Sequence, residues 1–359
     1  MQNNRLQSSS KAIGIWLLIG VGMIIIQFLL GGITRLTGSG LSITEWRPIL
    51  GILPPINEQE WQKVFNKYQE IAQFKHLNAH FTLSDFKFIF FWEWFHRLWG
   101  MFIGLVFSIP FLVFLVKGSF KKDMITPLLI LFLLGGLQGF IGWIMVKSGL
   151  NDQDLYVSHF RLAIHFMAAL VLLVYTFWFA LKLLVPNGSG LSNNYLKNFA
   201  LIIIALLIVQ LTYGAFMSGL KAGIYAPTWP DINGAMIPAE ILGGGDETLI
   251  STWINHPLAI HFIHRNLAYL LTALVIIWTV QAAKIKTSRY FNAGKWWPLA
   301  LVFIQVVLGI WATLTSYRAI LQGWGVFEWT AQLHQLVAIF FVLSLTWVIY
   351  SLKGKKHNS

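Results

Sequence analysis

The sequence predicts an all-α integral membrane protein whose eight transmembrane helices form two tandem four-helix bundles. Three observations lead to this prediction. Of the 359 residues, 56% are hydrophobic and only 11% are charged, whereas soluble domains carry about 25% charged residues. Eight apolar runs are long enough to cross a bilayer, which takes about 20 residues. Finally, the same motifs occur in both halves of the chain and in the same order.

The eight apolar runs, numbered spans 1 to 8, are separated by polar segments. They cover residues 12–33, 88–116, 125–146, 162–185, 199–217, 258–282, 296–315 and 329–352. The first run follows a short polar stretch but lacks the small-residue cleavage site of a secretory signal. It is therefore interpreted as a retained helix.

The positive charges lie mostly on one side of the predicted helices. If both termini are cytoplasmic, the cytoplasmic segments contain 14 basic residues and one acidic residue, Asp123. An excess of Lys and Arg on short loops marks the cytoplasmic side, so this orientation is predicted. The formal net charge of +12 is then a consequence of topology, and no nucleic-acid partner is indicated. The 14 residues are Arg5, Lys11, Lys117, Lys121, Lys122, Lys182, Lys197, Lys284, Lys286, Arg289, Lys295, Lys353, Lys355 and Lys356.

The two halves of the chain repeat one another. Six residues of the first half recur with the same identity 183 positions later, as Gln27/Gln210, Gly31/Gly214, Gly40/Gly223, Trp46/Trp229, Gly51/Gly234 and Pro55/Pro238. Because four helices return the chain to its starting side, the repeats have the same orientation, and we expect a pseudo-twofold axis along the membrane normal. The predicted units are an N-terminal bundle (1–185), a cytoplasmic linker (186–198) and a C-terminal bundle (199–359).

The odd-numbered spans share the motif Gln-x-x-x-Gly. It occurs as Gln27/Gly31, Gln138/Gly142, Gln210/Gly214 and Gln305/Gly309. Residues four apart lie on one helical face. Small and amide residues on such a face serve either plain helix packing or a position beside a cofactor, and the sequence leaves both interpretations open.

The even-numbered spans contain a histidine pair in each half. The dipeptide His-Arg begins at His96 and His264, and another histidine follows 69 residues later at His165 and 70 residues later at His334. With the predicted topology, all four lie in the outer part of their helices. An ionisable side chain in a membrane helix is costly and usually faces the bundle interior. Since the pair occurs in both repeats, the four histidines are predicted to be functional.

Two imidazoles on facing helices suit a haem better than a zinc ion. Zinc usually takes three or four protein ligands, and each bundle offers one histidine pair and at most one carboxylate. The chain has no cysteine, which excludes thiolate and iron–sulfur ligation. Haem iron needs one or two axial ligands, and a four-helix bundle has room for the macrocycle. Each bundle is therefore predicted to hold a haem.

Arginines lie beside three of these histidines. Arg97 and Arg265 directly follow His96 and His264, and Arg161 precedes His165 by four residues. Such arginines could pair with haem propionates or could extend along the helix to the interface.

The halves differ three residues before the His-Arg dipeptide. The first half has Glu93 at this position and the second half has His261. Glu93 is either an ordinary buried acid or a group that holds a proton or stabilises a developing cation. This difference suggests that the first bundle performs chemistry and the second transfers electrons.

Several long motifs resemble the heme A synthase family, in the form found in alpha-type bacteria and mitochondria, and the resemblance covers nearly the whole chain. The motifs are Gly31-Gly-Ile-Thr-Arg-Leu-Thr37, Gly40-Leu-Ser42, Thr82-Leu-Ser-Asp-Phe-Lys-Phe-Ile-Phe-Phe-Trp-Glu-Trp-Phe-His-Arg97, Gln138-Gly-Phe-Ile-Gly-Trp-Ile-Met-Val-Lys-Ser-Gly-Leu150, Thr228-Trp-Pro230 and Leu333-His-Gln335.

The resemblance implies an oxidoreductase that converts the C8 methyl group of haem O to a formyl group. The reaction proceeds by successive hydroxylation and loss of water and gives haem A for terminal oxidases. Glu93, His96 and His165 would form the catalytic site at the substrate haem O. His264 and His334 would be the axial ligands of a resident haem b.

The resemblance also implies a bacterial inner (plasma) membrane protein with its haem sites toward the periplasm, which receives haem O from haem O synthase. The electron acceptor, the source of oxygen and the oligomeric state are not given by the sequence, and a homo-oligomer is left open. Some members carry a cysteine pair in the first outer loop; this chain has none and cannot form that disulfide.

Five further histidines have no repeat partner and are interpreted as surface or loop residues: His76, His80, His159, His256 and His357. Two other functions remain open at this point. A di-haem membrane cytochrome b that only transfers electrons would use the same four histidines and would have no use for Glu93. A repeat-built transporter would instead place its site near the bilayer midplane.

Overall fold

A computed structural model of the protein describes residues 2–45, 53–186, 192–242, 248–285, 288–319 and 323–353. These residues fold into helices with connecting loops, and the described part of the chain contains only two isolated β-bridges. The α-helices are α1 (Gln2–Leu36), α2 (Glu58–Tyr68), α3 (Leu83–Val116), α4 (Lys122–Lys147), α5 (His159–Leu184), α6 (Asn194–Gly219), α7 (Leu249–Asn255), α8 (Pro257–Ala283), α9 (Arg289–Gly294), α10 (Trp297–Thr315) and α11 (Val326–Ser351).

Eight of the described helices are long and apolar enough to cross a membrane, which confirms the predicted number of spans. They are α1, α3, α4, α5, α6, α8, α10 and α11. Some positions named above lie outside the described residues, namely Trp46, Gly51 and the linker residues 187–191. The division into two bundles and their pseudo-twofold relation stay predictions.

The first loop between spans contains structure that the hydropathy pattern did not indicate. Helix α2 begins after Asn57, whose side chain accepts a hydrogen bond from the backbone of Glu60. Its apolar face buries Phe65 and Tyr68 against Phe86 of α3. Helix α3 therefore extends beyond the apolar run, so that its first turn packs under α2.

A capping box fixes the start of α3. The hydroxyl of Thr82 accepts a hydrogen bond from the backbone of Asp85, and the Asp85 carboxylate accepts one from the backbone of Thr82 at 2.9 Å. Satisfying the free N–H groups of the first turn in this way stabilises a helix start. The helix accordingly begins at Leu83, five residues before the apolar run.

Each half packs its helices around a central pair. In the first half α1 packs against α3 and α5, and α4 packs against α5. In the second half α6 packs against α8 and α11, and α10 packs against α11. The halves meet where α1 and α5 contact α6 and α11, and the largest apolar core lies at this junction.

A polar contact at this junction links two residues that match in the repeat. The guanidinium of Arg35, near the end of α1, donates a hydrogen bond to the backbone carbonyl of Ser218, which lies 183 residues later near the end of α6. The same interval of 183 residues separates the repeated motifs. Gln335 of α11 adds a second link by donating to the carbonyl of Phe28 at 3.0 Å.

Candidate functional site

The four repeated histidines lie at similar positions in their helices. His96, His165, His264 and His334 are in the N-terminal halves of α3, α5, α8 and α11, and all four side chains are half-buried. Each helix thus presents one imidazole at comparable depth.

Every one of these histidines is contacted by a Gln-x-x-x-Gly motif on the neighbouring helix. The Gln138 amide nitrogen lies 3.2 Å from Nδ1 of His165. The Gln210 and Gln305 amide nitrogens lie 3.4 Å and 3.2 Å from Nε2 of His264 and His334. Gln27 donates to the backbone carbonyl of His96 at 3.2 Å. The sequence left open whether this motif serves helix packing or lies beside a cofactor. In the structure, each copy of the motif contacts one of the four predicted histidine ligands.

The glycine of each motif provides the space that the imidazole occupies. A Cβ atom placed on Gly142 would lie 2.9 Å from Cε1 of His165, and one on Gly309 would lie 2.9 Å from Cε1 of His334. The corresponding approaches are 3.2 Å from Gly31 to Nε2 of His96 and 3.3 Å from Gly214 to Cε1 of His264. Residues larger than glycine would displace the rings, because a protein interior has little free volume.

In the second half the two imidazoles face each other across an interval that suits a shared metal ion. The ring centroids of His264 and His334 are 6.4 Å apart, with an angle of 69° between the ring planes. Two imidazoles bound to one ion through bonds of about 2 Å place their centroids about 6 Å apart. Within the described residues, no three His, Asp or Glu side chains converge on one point. Among these residues the donor set is therefore a pair, which is the number that bis-histidine ligation of haem iron takes.

Glu93 is buried in a network of donors. Its side chain is 3% exposed, and its Oε2 accepts hydrogen bonds from the Ser42 hydroxyl at 2.8 Å and the Ile43 backbone at 2.9 Å. Its Oε1 lies 2.5 Å from Nη2 of Arg97, which also donates to the carbonyl of Ile43 at 3.2 Å. These donors stabilise the ionised carboxylate on the same face of α3 as His96.

The equivalent positions in α8 form a different network. His261 is 1% exposed, and its Nε2 accepts a hydrogen bond from Nε of Arg265 at 3.1 Å. The Arg265 guanidinium also donates to the backbone carbonyls of Ala226, Thr228 and Asp231 at 3.2, 2.6 and 2.7 Å. Arg265 is 8% exposed, so it anchors the loop before α7 and does not extend into the interface.

The two arginine networks match through the repeat. Arg97 and Arg265 each contact the residue four positions earlier. Each also donates to a loop carbonyl, Arg97 to that of Ile43 and Arg265 to that of Ala226, and these two loop residues are 183 positions apart. Arg161 differs, because it is exposed and donates to the carbonyl of Ile144 at 3.0 Å. Contacts of these arginines with propionates stay a prediction.

Sequence reasoning missed the loop partners of the site. Ser42 and Ile43 contact Glu93 from 51 and 50 residues away, and no local pattern indicates a contact at this range. In the sequence, the motif Gly40-Leu-Ser42 indicated the family resemblance and gave no sign of a contact with Glu93. The position of these residues follows from the packing of the loop after α1 against α3.

The histidines without repeat partners divide into two groups. His76 and His80 are exposed, as predicted. His256 is half-buried at the junction of α7 and α8, and His159 is the first residue of α5, where its Nε2 lies 3.0 Å from the carbonyl of Ile254. These two are therefore packed at helix ends. His357 lies outside the described residues.

A cationic cluster lies near the junction of the two halves. The Nζ of Lys221 is 3.9 Å from the centroid of the Tyr156 ring. Burial, with a smaller contribution from the positive charge of Arg35, lowers the pKa of Lys221 to about 8. Burial also raises the pKa of Tyr156. Lys221 therefore changes its charge near pH 8, while Tyr156 stays neutral there.

Comparison with known proteins agrees with this arrangement. The profile of the family described as cytochrome oxidase assembly protein matches residues 14–349. The chain is 38% identical over 344 residues to a protein of Flavobacterium psychrophilum named heme A synthase, which covers 95% of this chain and 98% of that protein. It is 39% identical over 353 residues to a protein of the same name from Rhodospirillum centenum, covering 97% and 90% of the two chains. A third, from Bradyrhizobium sp., is 42% identical over 306 residues, covering 85% and 83%.

These matches span most of both chains, and the family profile covers every candidate site residue named above. On this basis the chain belongs to the cytochrome oxidase assembly protein family, whose relatives compared here carry the name heme A synthase.

Proposed function

We propose that this chain, as a heme A synthase, oxidises the C8 methyl group of haem O in the N-terminal half and holds a haem b in the C-terminal half. The product is the formyl-bearing haem A. Family membership supports the reaction. The observation that carries the assignment of haem b is the 6.4 Å separation of the His264 and His334 rings, because it fits two axial ligands of one iron. When bound, haem b supplies electron transfer.

His96 and His165 are proposed to bind the substrate haem O. Support comes from the likeness of their surroundings to those of the second pair. A Cβ on Gly142 would meet Cε1, Nδ1 and Nε2 of His165 at 2.9, 3.4 and 3.6 Å, and one on Gly309 would meet the same atoms of His334 at 2.9, 3.4 and 3.7 Å. Both helix pairs therefore hold an imidazole in the same orientation relative to the neighbouring helix.

Glu93 is proposed to be the catalytic acid–base residue of the first half. It precedes His96 by three residues and so lies on the same side of α3. An ionised carboxylate at this point would stabilise positive charge that develops when the methyl carbon is oxidised, and would accept a proton during loss of water. Arg97, Ser42 and Ile43 fix the position of the carboxylate.

Arg97 and Arg265 are proposed to position the haem sites, with propionates as further acceptors of their donors. Each holds a loop segment beside the histidine helix. A guanidinium has five donors, so an arginine already bound to carbonyls can still contact a propionate at its remaining N–H groups.

The proposal places the protein in the bacterial inner membrane, with both termini in the cytoplasm and both haem sites toward the periplasm. The distribution of Lys and Arg supports this orientation. Haem O would arrive from haem O synthase, and electrons would leave from haem b to an acceptor that the sequence does not identify.

The reaction is tested by supplying haem O to the purified protein in lipid vesicles and identifying the extracted haems by mass. We expect a formyl-bearing haem that depends on Glu93 and does not form with Glu93→Gln. A wild-type protein that holds two permanent haems and converts no haem O would contradict the proposal and would support the di-haem cytochrome b. The same extraction with Glu70→Gln, an exposed acid in the loop after α2, controls for the charge change.

A further inference from the structure

The glycines of the Gln-x-x-x-Gly motifs in α4 and α10 hold His165 and His334 in nearly the same way, because each glycine faces Cε1 of the ring. The glutamine one turn earlier lies near Nδ1 of His165 in α4 and near Nε2 of His334 in α10. The two helices belong to different halves and contact different histidines. The same arrangement at two separate sites indicates that the orientation of the imidazole ring matters at both, beyond the local packing of the helices.

We propose that Gln138 and Gly142 are positioning residues for His165, and that Gln305 and Gly309 are positioning residues for His334. They fix the plane of each ring, and the backbone of Gln305 also fixes which nitrogen of His334 carries the proton. This inference rests on the proposed function, in which both histidines bind haem iron.

The glycines fix the plane of the ring. Cε1 of each histidine occupies the space where a side chain would begin, since a Cβ on either glycine would lie only 2.9 Å away. A methyl group there forces the ring to tilt or to shift by a few tenths of an ångström. The orientation of an axial imidazole affects both the spectrum and the potential of a haem.

The backbone of Gln305 fixes the protonated nitrogen of His334. In α10 the backbone carbonyl of Gln305 lies 3.0 Å from Nδ1 of His334. A carbonyl can only accept, so Nδ1 carries the proton and Nε2 keeps the lone pair that iron needs. In α4 the group nearest Nδ1 of His165 is the side chain of Gln138, at 3.2 Å.

The Gln138 side chain contacts His165 at two points. Its amide nitrogen lies 3.2 Å from Nδ1 of the ring and donates to the backbone carbonyl of the same residue at 3.0 Å. The side chain of Gln138 therefore holds the ring against the backbone of α5.

Each glutamine side chain is tested by removing its amide. Gln138→Leu should lower haem A formation about 10-fold or more, as loss of an outer-shell partner does, and should leave the spectrum and midpoint potential of haem b unchanged. Gln305→Leu should shift the midpoint potential of haem b, because the Gln305 amide nitrogen lies 3.2 Å from Nε2 of His334.

The glycines are tested in the same purified protein by the low-spin electron paramagnetic resonance signal and the midpoint potential of haem b. Gly309→Ala should shift both. Gly142→Ala should leave both unchanged and should lower haem A formation. Gly139→Ala is the matched control on α4, because a Cβ there would meet nothing within 4 Å. It should change neither the haem b properties nor haem A formation. If Gly309→Ala does not fold, Gly214→Ala tests the same haem, with a milder approach of 3.3 Å to His264.

The outcomes separate this inference from the proposed function. A wild-type protein without a low-spin haem signal would contradict the assignment of haem b. A normal wild-type signal that is unaltered in Gly309→Ala, or wild-type haem A formation in Gln138→Leu, would overturn the positioning role alone.

Discussion

Glu93 and Arg97 form an ion pair one helical turn apart, with 2.5 Å between Oε1 and Nη2, and only 3% of the Glu93 side chain is exposed. Arg97 neutralises the charge whose burial would otherwise be costly. The pair therefore holds the Glu93 side chain in a fixed position inside the helix bundle, on the same side of α3 as His96.

Replacing Glu93 by Gln should stop the chemistry without removing haem b. The amide keeps the shape of the side chain but can neither hold a negative charge nor accept a proton. Positioned acid–base groups contribute about 100-fold or more to rate, so we expect haem A formation to fall by at least that factor. Haem extraction measures the activity, and the optical spectrum measures haem b. Wild-type turnover in this variant would eliminate the catalytic role.

The histidines of the two halves should respond differently to substitution. His264→Ala and His334→Ala each remove one of the two facing imidazoles and should abolish the low-spin haem spectrum of the purified protein. His96→Ala and His165→Ala should retain that spectrum and lose haem A formation. If the low-spin spectrum survives in His264→Ala or disappears in His96→Ala, the assignment of haem b to His264 and His334 is wrong.

Arg265 should contribute strongly to stability. Its guanidinium donates to three backbone carbonyls and to His261, and hydrogen bonds from charged groups contribute about 1.5–3 kcal/mol each. Arg265→Met should therefore destabilise the protein by roughly 3 kcal/mol or more, seen as a lower thermal midpoint in detergent. Arg161→Met, which removes an exposed side chain bound to one carbonyl, should have a much smaller effect. Equal effects of the two substitutions would argue against the anchoring role of Arg265.

Lys221 should make stability depend on pH above 8. Burial lowers the pKa of Lys221 from 10.5 to about 8, so between these values the unfolded chain binds a proton that the folded chain does not. Raising the pH through this interval therefore favours the folded state. The thermal midpoint of the wild type, relative to that of Lys221→Met, should increase between pH 8 and about 10.5. A constant difference would show that Lys221 does not titrate in this interval.

The orientation in the membrane can be tested with reporter tags. Tags inserted after Lys121, in the segment between α3 and α4, and after Lys286, which lies outside the described residues, should be cytoplasmic. Protease protection in sealed vesicles distinguishes the two sides. An external location of either tag would reverse the topology and move both haem sites to the cytoplasmic side.

Much of the fold was predictable because hydropathy reports transmembrane helices directly. The eight apolar runs correspond to the eight spans found, with differences at the ends. Helix α3 begins at Leu83 rather than Phe88 because the Thr82–Asp85 cap and the packing of Phe86 under α2 extend it. Helix α2 was missed because it lies in a polar loop, where no apolar run marks a helix.

The similar placement of the four histidines in their helices was predictable because the pattern repeats, whereas the contacts around them depend on residues distant in sequence. The recurrence of His-Arg drew attention to His96 and His264, and the spacings of 69 and 70 residues drew attention to His165 and His334. The network around Glu93 was missed, because Ser42 and Ile43 reach it only through the folded loop. The Gln-x-x-x-Gly motif was visible in the sequence, but the histidines that it contacts lie on other helices. A single sequence does not show which helices pack against each other.

The contact between Arg35 and Ser218 shows what a single chain permits and a dimer of half-length chains does not. Ser218 follows Arg35 by 183 residues, which is the interval of the repeated motifs. In a dimer of identical half-length chains both positions would be the same residue, and two arginines would bring like charges together away from water. A single chain has no such restriction, so one half can carry the guanidinium and the other a serine. The same freedom allows Glu93 in one half and His261 in the other.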